Sequence, residues 1–404
     1  MKKAYIIDGT RSAIGNFKGQ LAGVRTDDLI ASVIKSLIAK NPQIPVDKID
    51  DVIIGCANQA GEDNRNIARM AALLAGLPVT IPGETVNRLC ASGMSAIAQA
   101  SRAIKSGEGD LFIAGGVEGM SRGPYVISKG ESGFDNTQKM YDSSFGWRFI
   151  NPEMEKMYGT EAMGKTAENL AEIFQISREE QDEFALNSQM KAKKAQESGR
   201  LAEEISDILI PQRKGDAIVL NKDEFIKPNS SLEILGNLKP AFVKENGSVT
   251  AGNSSGLNDG AAAVIVASED ALKEFGLKPL AKIVTSATTG CEPRIMGIGP
   301  VEATKLALKR ANLTLDQIDI IELNEAFAAQ SIAVLKELGI ANDDAKVNVN
   351  GGAIALGHPL GMSGTRITYS AAVELQKSGK KYALCTMCVG VGQGCAVILE
   401  NPNV

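Results

Sequence analysis

Val46-Asp47-Lys48-Ile49-Asp50 returns later in the chain as Leu315-Asp316-Gln317-Ile318-Asp319, and Lys105-Ser106-Gly107 returns as Lys377-Ser378-Gly379. The offsets are 269 and 272 residues, so two unlike fragments recur at one spacing. Lys-Ser-Gly is an ordinary helix exit, with glycine at the C′ position, and either match alone carries little. Together they point to a duplicated half of about 120 to 130 residues.

The surrounding pattern agrees. Short β-branched runs alternate with longer amphipathic stretches: strand Ala4 to Ile7, helix Thr26 to Ala39, strand Asp51 to Ile54, helix Met94 to Lys105 and strand Asp110 to Ala114. The same order recurs as helix Val301 to Ala311, strand Ile318 to Glu322, helix Gly361 to Lys377 and strand Tyr382 to Met387. This is α/β patterning. Between the repeats, Arg122 to Gly247 is richer in Glu, Lys, Asn and Gln and carries one long helical pattern, Thr166 to Ser198; Ser248 to Ser268 then resumes a buried, small-residue pattern. The expected division is residues 1–121 with 248–273 as one half, 122–247 as an inserted loop domain, and 274–404 as the second half.

The 404 residues hold 43 Lys plus Arg against 48 Asp plus Glu, a net charge of −5 without a basic block, which argues against nucleic acid as partner. No apolar run approaches the length of a membrane span. The N-terminal Met-Lys-Lys-Ala-Tyr-Ile-Ile-Asp meets an acid too early for a secretory h-region and reads as a first strand. Six irregularly spaced cysteines are then expected as thiols in a reducing cytoplasm. His358 is the single histidine, so imidazole chemistry at neutral pH must use it.

Four segments carry candidate chemistry. Cys90 immediately precedes a helix, where free N–H groups and the helix dipole favour thiolate; the competing reading is a small buried core thiol. His358 lies in a glycine-dense loop, Asn350 to Gly364, and Pro359 holds it out of the helix that follows; the glycines read as clearing space for something to approach the ring. In Cys385-Thr386-Met387-Cys388 the sulfurs fall on opposite strand faces, which opposes a shared metal, and Cys388 at the strand end reads as accessible. Asn324, in Leu323-Asn324-Glu325-Ala326-Phe327, is either a helix cap or a site amide at a strand end.

These segments, with Gly115 to Arg122 and Thr250 to Ala262, resemble the thiolase family from end to end. The resemblance implies two like βαβαβαββ halves in α/β/α/β/α layers with an inserted loop domain, and a homodimer or homotetramer. It implies CoA and acyl-CoA thioesters as partners, with CoA a substrate and no tightly bound cofactor or metal. By the same resemblance Cys90 is the acylated nucleophile, His358 its base and Cys388 the second acid/base. His358 and a water held by Asn324 serve the thioester enolate, while the N–H groups of Cys90 and Gly390 serve the tetrahedral intermediate. Ser255 is implied at the pantetheine, and Met163 and Met296 along the thioester channel, though both methionines also read as packing. Lys227 stands where the family usually has arginine, a point charge without a flat stacking face. Ala162 stands where many acetoacetyl-type members have histidine.

Asp142 to Pro152, with the one Trp, and Gly55 to Asn66 resemble the thiolase subgroup that acts on 3-oxoadipyl-CoA, whose acyl chain ends in a carboxylate. Arg148, or else Arg65, is the candidate partner for that group, against an ordinary ion pair. The rivals are an acetoacetyl-CoA or general 3-ketoacyl-CoA thiolase, which keeps the chemistry, and a decarboxylating ketosynthase, which needs a second histidine or an asparagine beside the first. A non-catalytic acyl-CoA or lipid carrier is the alternative of a different class; the presence of Cys90, Asn324, His358 and Cys388 together opposes it.

Overall fold

The computed structural model describes residues 2–404. In the first half β1 (Ala4–Arg11) leads to α1 (Thr26–Lys40), β2 (Asp51–Gly55), α2 (Ile67–Leu74), β3 (Gly83–Val86), α3 (Ser92–Ser106) and β4 (Leu111–Gly119). A long excursion containing α4 (Met163–Ile173) and α5 (Arg178–Glu197) follows before the chain returns as β5 (Asn258–Ser268). The second half runs β6 (Ala281–Gly290), α6 (Gly299–Ala311), β7 (Ile320–Leu323), α7 (Ala328–Leu338), α8 (Leu360–Ser378), β8 (Tyr382–Val389) and β9 (Gln393–Glu400).

Strand order is β7-β8-β9-β6-β1-β5-β4-β2-β3, with the two-residue strand Gly15–Asn16 beside β5. Read outward from the centre the two wings match. The pairs β1·β5 and β6·β9 are antiparallel, as are β5·β4 and β9·β8, while β4·β2 and β8·β7 are parallel. The strands of the two wings pair where Tyr5 faces Lys282 and Ile6 faces Ala281. Both repeated fragments occupy equivalent places. Val46–Lys48 and Leu315–Gln317 are single 3₁₀ turns delivering β2 and β7, and Gly107 and Gly379 close α3 and α8 in left-handed conformation, at φ 85° and 64°.

Side-chain clusters define five layers. α1 and α2 cover the outer face of the first wing through Leu29, Ile34, Ile67 and Ala71 against Val52, Ile54, Ile113 and Ile265. α3 and α8 fill the space between the wings, with Met94, Ile97, Ile104, Ile367 and Leu375 against Ile53, Val264, Ala383 and Val397. Helices α4, α6 and α7 cover the second wing. The two central helices meet closely at their N-terminal ends. A Cβ at Gly93 would come 2.6 Å from the Gly361 carbonyl, and one at Gly116 on β4 would collide with that same carbonyl, so glycine is required where helix, helix and strand converge.

One expected element divides. The single helical pattern over Thr166 to Ser198 is two helices, broken where Gln175 takes φ 49°. Ser177 starts the second with a capping box, accepting from the Glu180 N–H while the Glu180 carboxylate accepts from the Ser177 N–H, which terminates the first helix more effectively than periodicity extends it.

Candidate active site

Cys90 is presented by a braced turn. The side chain of Asn87 accepts from the Leu89 N–H at 2.8 Å, and the hydroxyl of Ser92 accepts from the Arg88 N–H at 2.9 Å while donating to the Leu89 carbonyl at 2.7 Å. These bonds hold Leu89 at φ 46°, a strained setting costing about 1–3 kcal/mol for a residue with a Cβ. Cys90 follows on the 3₁₀ turn Leu89–Ala91 at the head of α3. The backbone N–H groups of Gly390 and of Cys90 lie against its sulfur.

The thiolate expectation is corrected here. Burial pushes the Cys90 thiol up to about 11, and those N–H groups offset only part of that. The helix terminus favours the anion, but removing the sulfur from water costs more.

Cys388 closes β8 and is 1% exposed, so the expectation of an accessible thiol fails. The glycines beside it do not open the surface, because α4, α6 and α7 cover that face of the sheet. Burial first, then the neighbouring Cys90 and Cys291 thiols, push Cys388 well above the ordinary cysteine range, which places the two candidate sulfurs in one electrostatic neighbourhood. Cys385 faces the central layer and Cys388 the outer one.

His358 is 5% exposed in the loop ahead of α8. Ser363 on the first turn donates its hydroxyl to the Pro359 carbonyl at 2.9 Å, so it receives a proton from His358 Nδ1 at 2.6 Å. This pattern assigns the Nδ1–H tautomer, with the ring lone pair on Nε2. That nitrogen faces Asn324 Nδ2 at 3.4 Å. Burial, then the Arg366 charge, lowers His358 to about 3, so the ring is neutral at pH 7. Asn324 is not a helix cap, since α7 begins at Ala328 without a side-chain cap; its Oδ1 is buried and without a protein partner.

The glycines around His358 do not clear space for a ligand. A Cβ at Gly357 would meet Asn258, and one at Gly352 would collide with the Glu325 carboxylate; the loop is glycine-rich because the protein itself packs against it. Three positioning residues escaped the sequence reading: Ser363, Asn258, which accepts from the His358 N–H at 3.0 Å, and Glu118. Glu118 accepts from Ala57, Asn58 and Gly361 N–H groups at 3.1, 2.9 and 2.8 Å, and burial pushes it up to about 7. A carboxylate ending the apolar run Leu111 to Val117 was its signal. Cys56, Asp63 and Glu118 bring three possible metal donors within 4.8 Å, but Glu118 is taken up as described, Cys56 donates to the Asn58 carbonyl and Asp63 accepts from Gly61. That set is better explained as loop bracing.

Two family models match the chain, the thiolase N-terminal domain over residues 4–270 and the thiolase C-terminal domain over residues 277–401. The chain belongs to the thiolase family. Thiolases are acyltransferases, and this thiolase has relatives that align from end to end. It is 58% identical to a beta-ketoadipyl-CoA thiolase of Acinetobacter baylyi, over 99% of this chain and 100% of that one. It is 56% identical to the 3-oxoadipyl-CoA/3-oxo-5,6-dehydrosuberyl-CoA thiolase of Escherichia coli K12, with the same coverage. The crystal structure of the Bacillus anthracis acetyl-CoA acetyltransferase superposes with a TM-score of 0.92 at 41% identity, covering 99% of both chains. The thiolase fold is thereby established for this chain.

The remaining candidates of this thiolase are more scattered. Lys227 lines an open cleft of about 530 Å³ with Asn16, Phe17, Glu224, Phe225 and Leu257, its ammonium 4.9 Å from the centre of the Phe225 ring. Ser255 donates its hydroxyl to the Ala326 carbonyl at 3.0 Å. Met163 begins α4 with its sulfur 3.9 Å from where a Cβ on Gly390 would lie, whereas Met296 is packed in the core. Arg148 is half-buried and meets only neutral oxygens, the Ser143 carbonyl and Asn58 Oδ1, both at 3.4 Å. Arg65 is exposed at φ 62°. Among the described residues no helix is long and apolar enough to cross a membrane.

Proposed function

We propose that this thiolase cleaves 3-oxoadipyl-CoA with CoA, giving succinyl-CoA and acetyl-CoA. The relatives named above support the substrate, and the observation that carries it on this chain is Arg148, a half-buried guanidinium without a carboxylate partner. A substrate carboxylate supplies that partner.

In the proposed reaction the Cys90 thiol passes its proton to His358 Nε2 as its sulfur attacks C3 of the substrate. The oxyanion is met by the N–H groups of Cys90 and Gly390. The C2–C3 bond then breaks, leaving succinyl on Cys90 and the enolate of acetyl-CoA, which takes its proton from the Cys388 thiol. The imidazolium of His358 and a water held by Asn324 stabilise the enolate oxygen. CoA attacks the acyl-cysteine, its thiol proton restores Cys388, and succinyl-CoA leaves as the His358 imidazolium returns its proton to the Cys90 sulfur. Neutral groups suit this sequence, since proton transfer accompanies bond formation rather than preceding it. CoA is a substrate here, with Lys227 at the nucleotide end, Ser255 at the pantetheine and Met163 along the thioester channel; Met296, 3% exposed, is core packing and not channel lining.

The proposed units are residues 1–121 with 248–273, 122–247 and 274–404. A homodimer or tetramer in the cytoplasm completes the reading; the edge strand β3, with exposed Leu73, Leu74 and Val79 nearby, suits a second copy. The test is kcat/KM for 3-oxoadipyl-CoA and acetoacetyl-CoA in wild type and Arg148→Ala. A loss of about 30-fold or more on the first substrate, with the preference between the two reduced, is expected from deleting a buried charge partner. Equal preference in both proteins refutes the carboxylate role of Arg148; a wild type that does not prefer 3-oxoadipyl-CoA refutes the substrate assignment.

A further inference from the structure

The loop Cys56–Asn64 takes no part in the proposed chemistry, yet Asn58 within it is 8% exposed and has every polar side-chain atom engaged. Its Nδ2 donates to the Ser143 carbonyl at 3.1 Å and to Ser143 Oγ at 3.3 Å. Its Oδ1 accepts from the Ala60 N–H at 3.2 Å and from Arg148 Nη2 at 3.4 Å. The Ser143 carbonyl that Asn58 holds receives Arg148 Nη1, also at 3.4 Å. Two neutral acceptors, one belonging to Asn58 and one fixed by it, thus address the two terminal nitrogens of the guanidinium. Both contacts are long for charge-assisted bonds. They orient the fork without neutralising it, whereas nearby Arg122 and Arg25 are consumed by ion pairs with Glu62 and Asp27.

The mount is itself anchored to the reaction centre. The Asn58 N–H donates to Glu118, and the same carboxylate receives the N–H of Gly361, three residues after His358 and two before Ser363. On its other flank the Ser143–Arg148 loop is pinned by Trp147, whose indole N–H donates to the Glu161 carbonyl at 3.3 Å, two residues before Met163.

Taking the 3-oxoadipyl-CoA reading as its premise, we infer that Asn58 is a specificity-positioning residue: it holds Arg148 at a set distance from the reacting carbon, so that 3-ketoacyl-CoAs with a terminal carboxylate are preferred over uncharged ones of the same length. Without Asn58 the guanidinium remains but its position is no longer prescribed, and a misplaced anchor loses the orienting benefit of binding.

The experiment measures kcat and KM for 3-oxoadipyl-CoA and for 3-oxohexanoyl-CoA, the same chain without the carboxylate, in wild type, Arg148→Ala, Asn58→Ala and Asn58→Asp. The readout is the ratio of the two kcat/KM values. In Asn58→Ala the ratio should fall at least about 10-fold, mainly through KM of the dicarboxylate substrate. Asn58→Asp, nearly isosteric, keeps the test open if the alanine variant does not fold. It places an anion against the guanidinium and should lower the ratio at least as far as Arg148→Ala. Both substrates losing rate alike in a folded Asn58 variant would mean a purely structural role and overturn the inference. A ratio that collapses in Arg148→Ala but survives in the Asn58 variants rejects the Asn58 role alone. A ratio unmoved by Arg148→Ala rejects the Arg148 and Asn58 roles together, while a wild-type ratio near one rejects the substrate reading beneath them.

Discussion

Ser363 decides which nitrogen of His358 can act. Because its own proton is committed to the Pro359 carbonyl, the ring must donate from Nδ1, leaving Nε2 as the basic atom beside Asn324. With His358 lowered to about 3 and Cys90 raised to about 11, the resting pair is thiol and neutral imidazole. The expected kcat/KM profile is therefore flat from about pH 5 to 9, and iodoacetamide labelling of Cys90 should still accelerate above pH 9. An acid limb near the ordinary histidine value, or a labelling plateau near neutrality, would contradict that protonation state. The same shift bears on stability. The unfolded chain takes up a proton near pH 6.5 that folded His358 refuses until about 3, so this residue's contribution is complete above 6.5 and is withdrawn as the pH falls toward 3. Cys90, Cys388, His358 and Asn324 are proposed as a set because their segments resemble those of thiolases, not because any one of them declares its role in isolation. Their protonation was not legible, because a helix head is visible in sequence while the layers that bury a sulfur come from elsewhere in the chain.

At the scale of elements, the meeting of α3, α8 and β4 controls how closely the candidate groups approach. Gly116→Ala places a methyl against the Gly361 carbonyl and, through it, against the start of the helix behind His358. Overpacking of this kind costs about 1–3 kcal/mol. Chemical denaturation should show that loss, with thiolysis reduced in protein that remains folded; unchanged stability would show that the helix can retreat freely. The glycines of the His358 loop were read as room for a ligand, and they are room for protein. Sequence displays the missing Cβ but not what occupies its place. The break between α4 and α5 was likewise hidden, since the helical period continues across a capping box written in ordinary Ser and Glu.

Across the whole molecule, duplication explains the architecture and its economy of sites. Each wing supplies one central helix, α3 behind Cys90 and α8 behind His358, and the excursion after β4 supplies Arg148 and Lys227. The repeat was legible because 3₁₀ turns and helix exits have short, local signatures. The outermost strand of the second wing was not, since β3 corresponds there to the single bridge of Ile321 with Val347. In the proposed reaction these parts converge to make Cys90 an acyl carrier between two thioesters. Mass spectrometry of the protein mixed with 3-oxoadipyl-CoA without free CoA, followed by peptide mapping, tests this directly. The expected result is one succinyl group on Cys90, discharged by added CoA and absent from Cys90→Ala. An acyl group on another residue, or turnover that persists in Cys90→Ala, would rule out Cys90 as the acyl carrier.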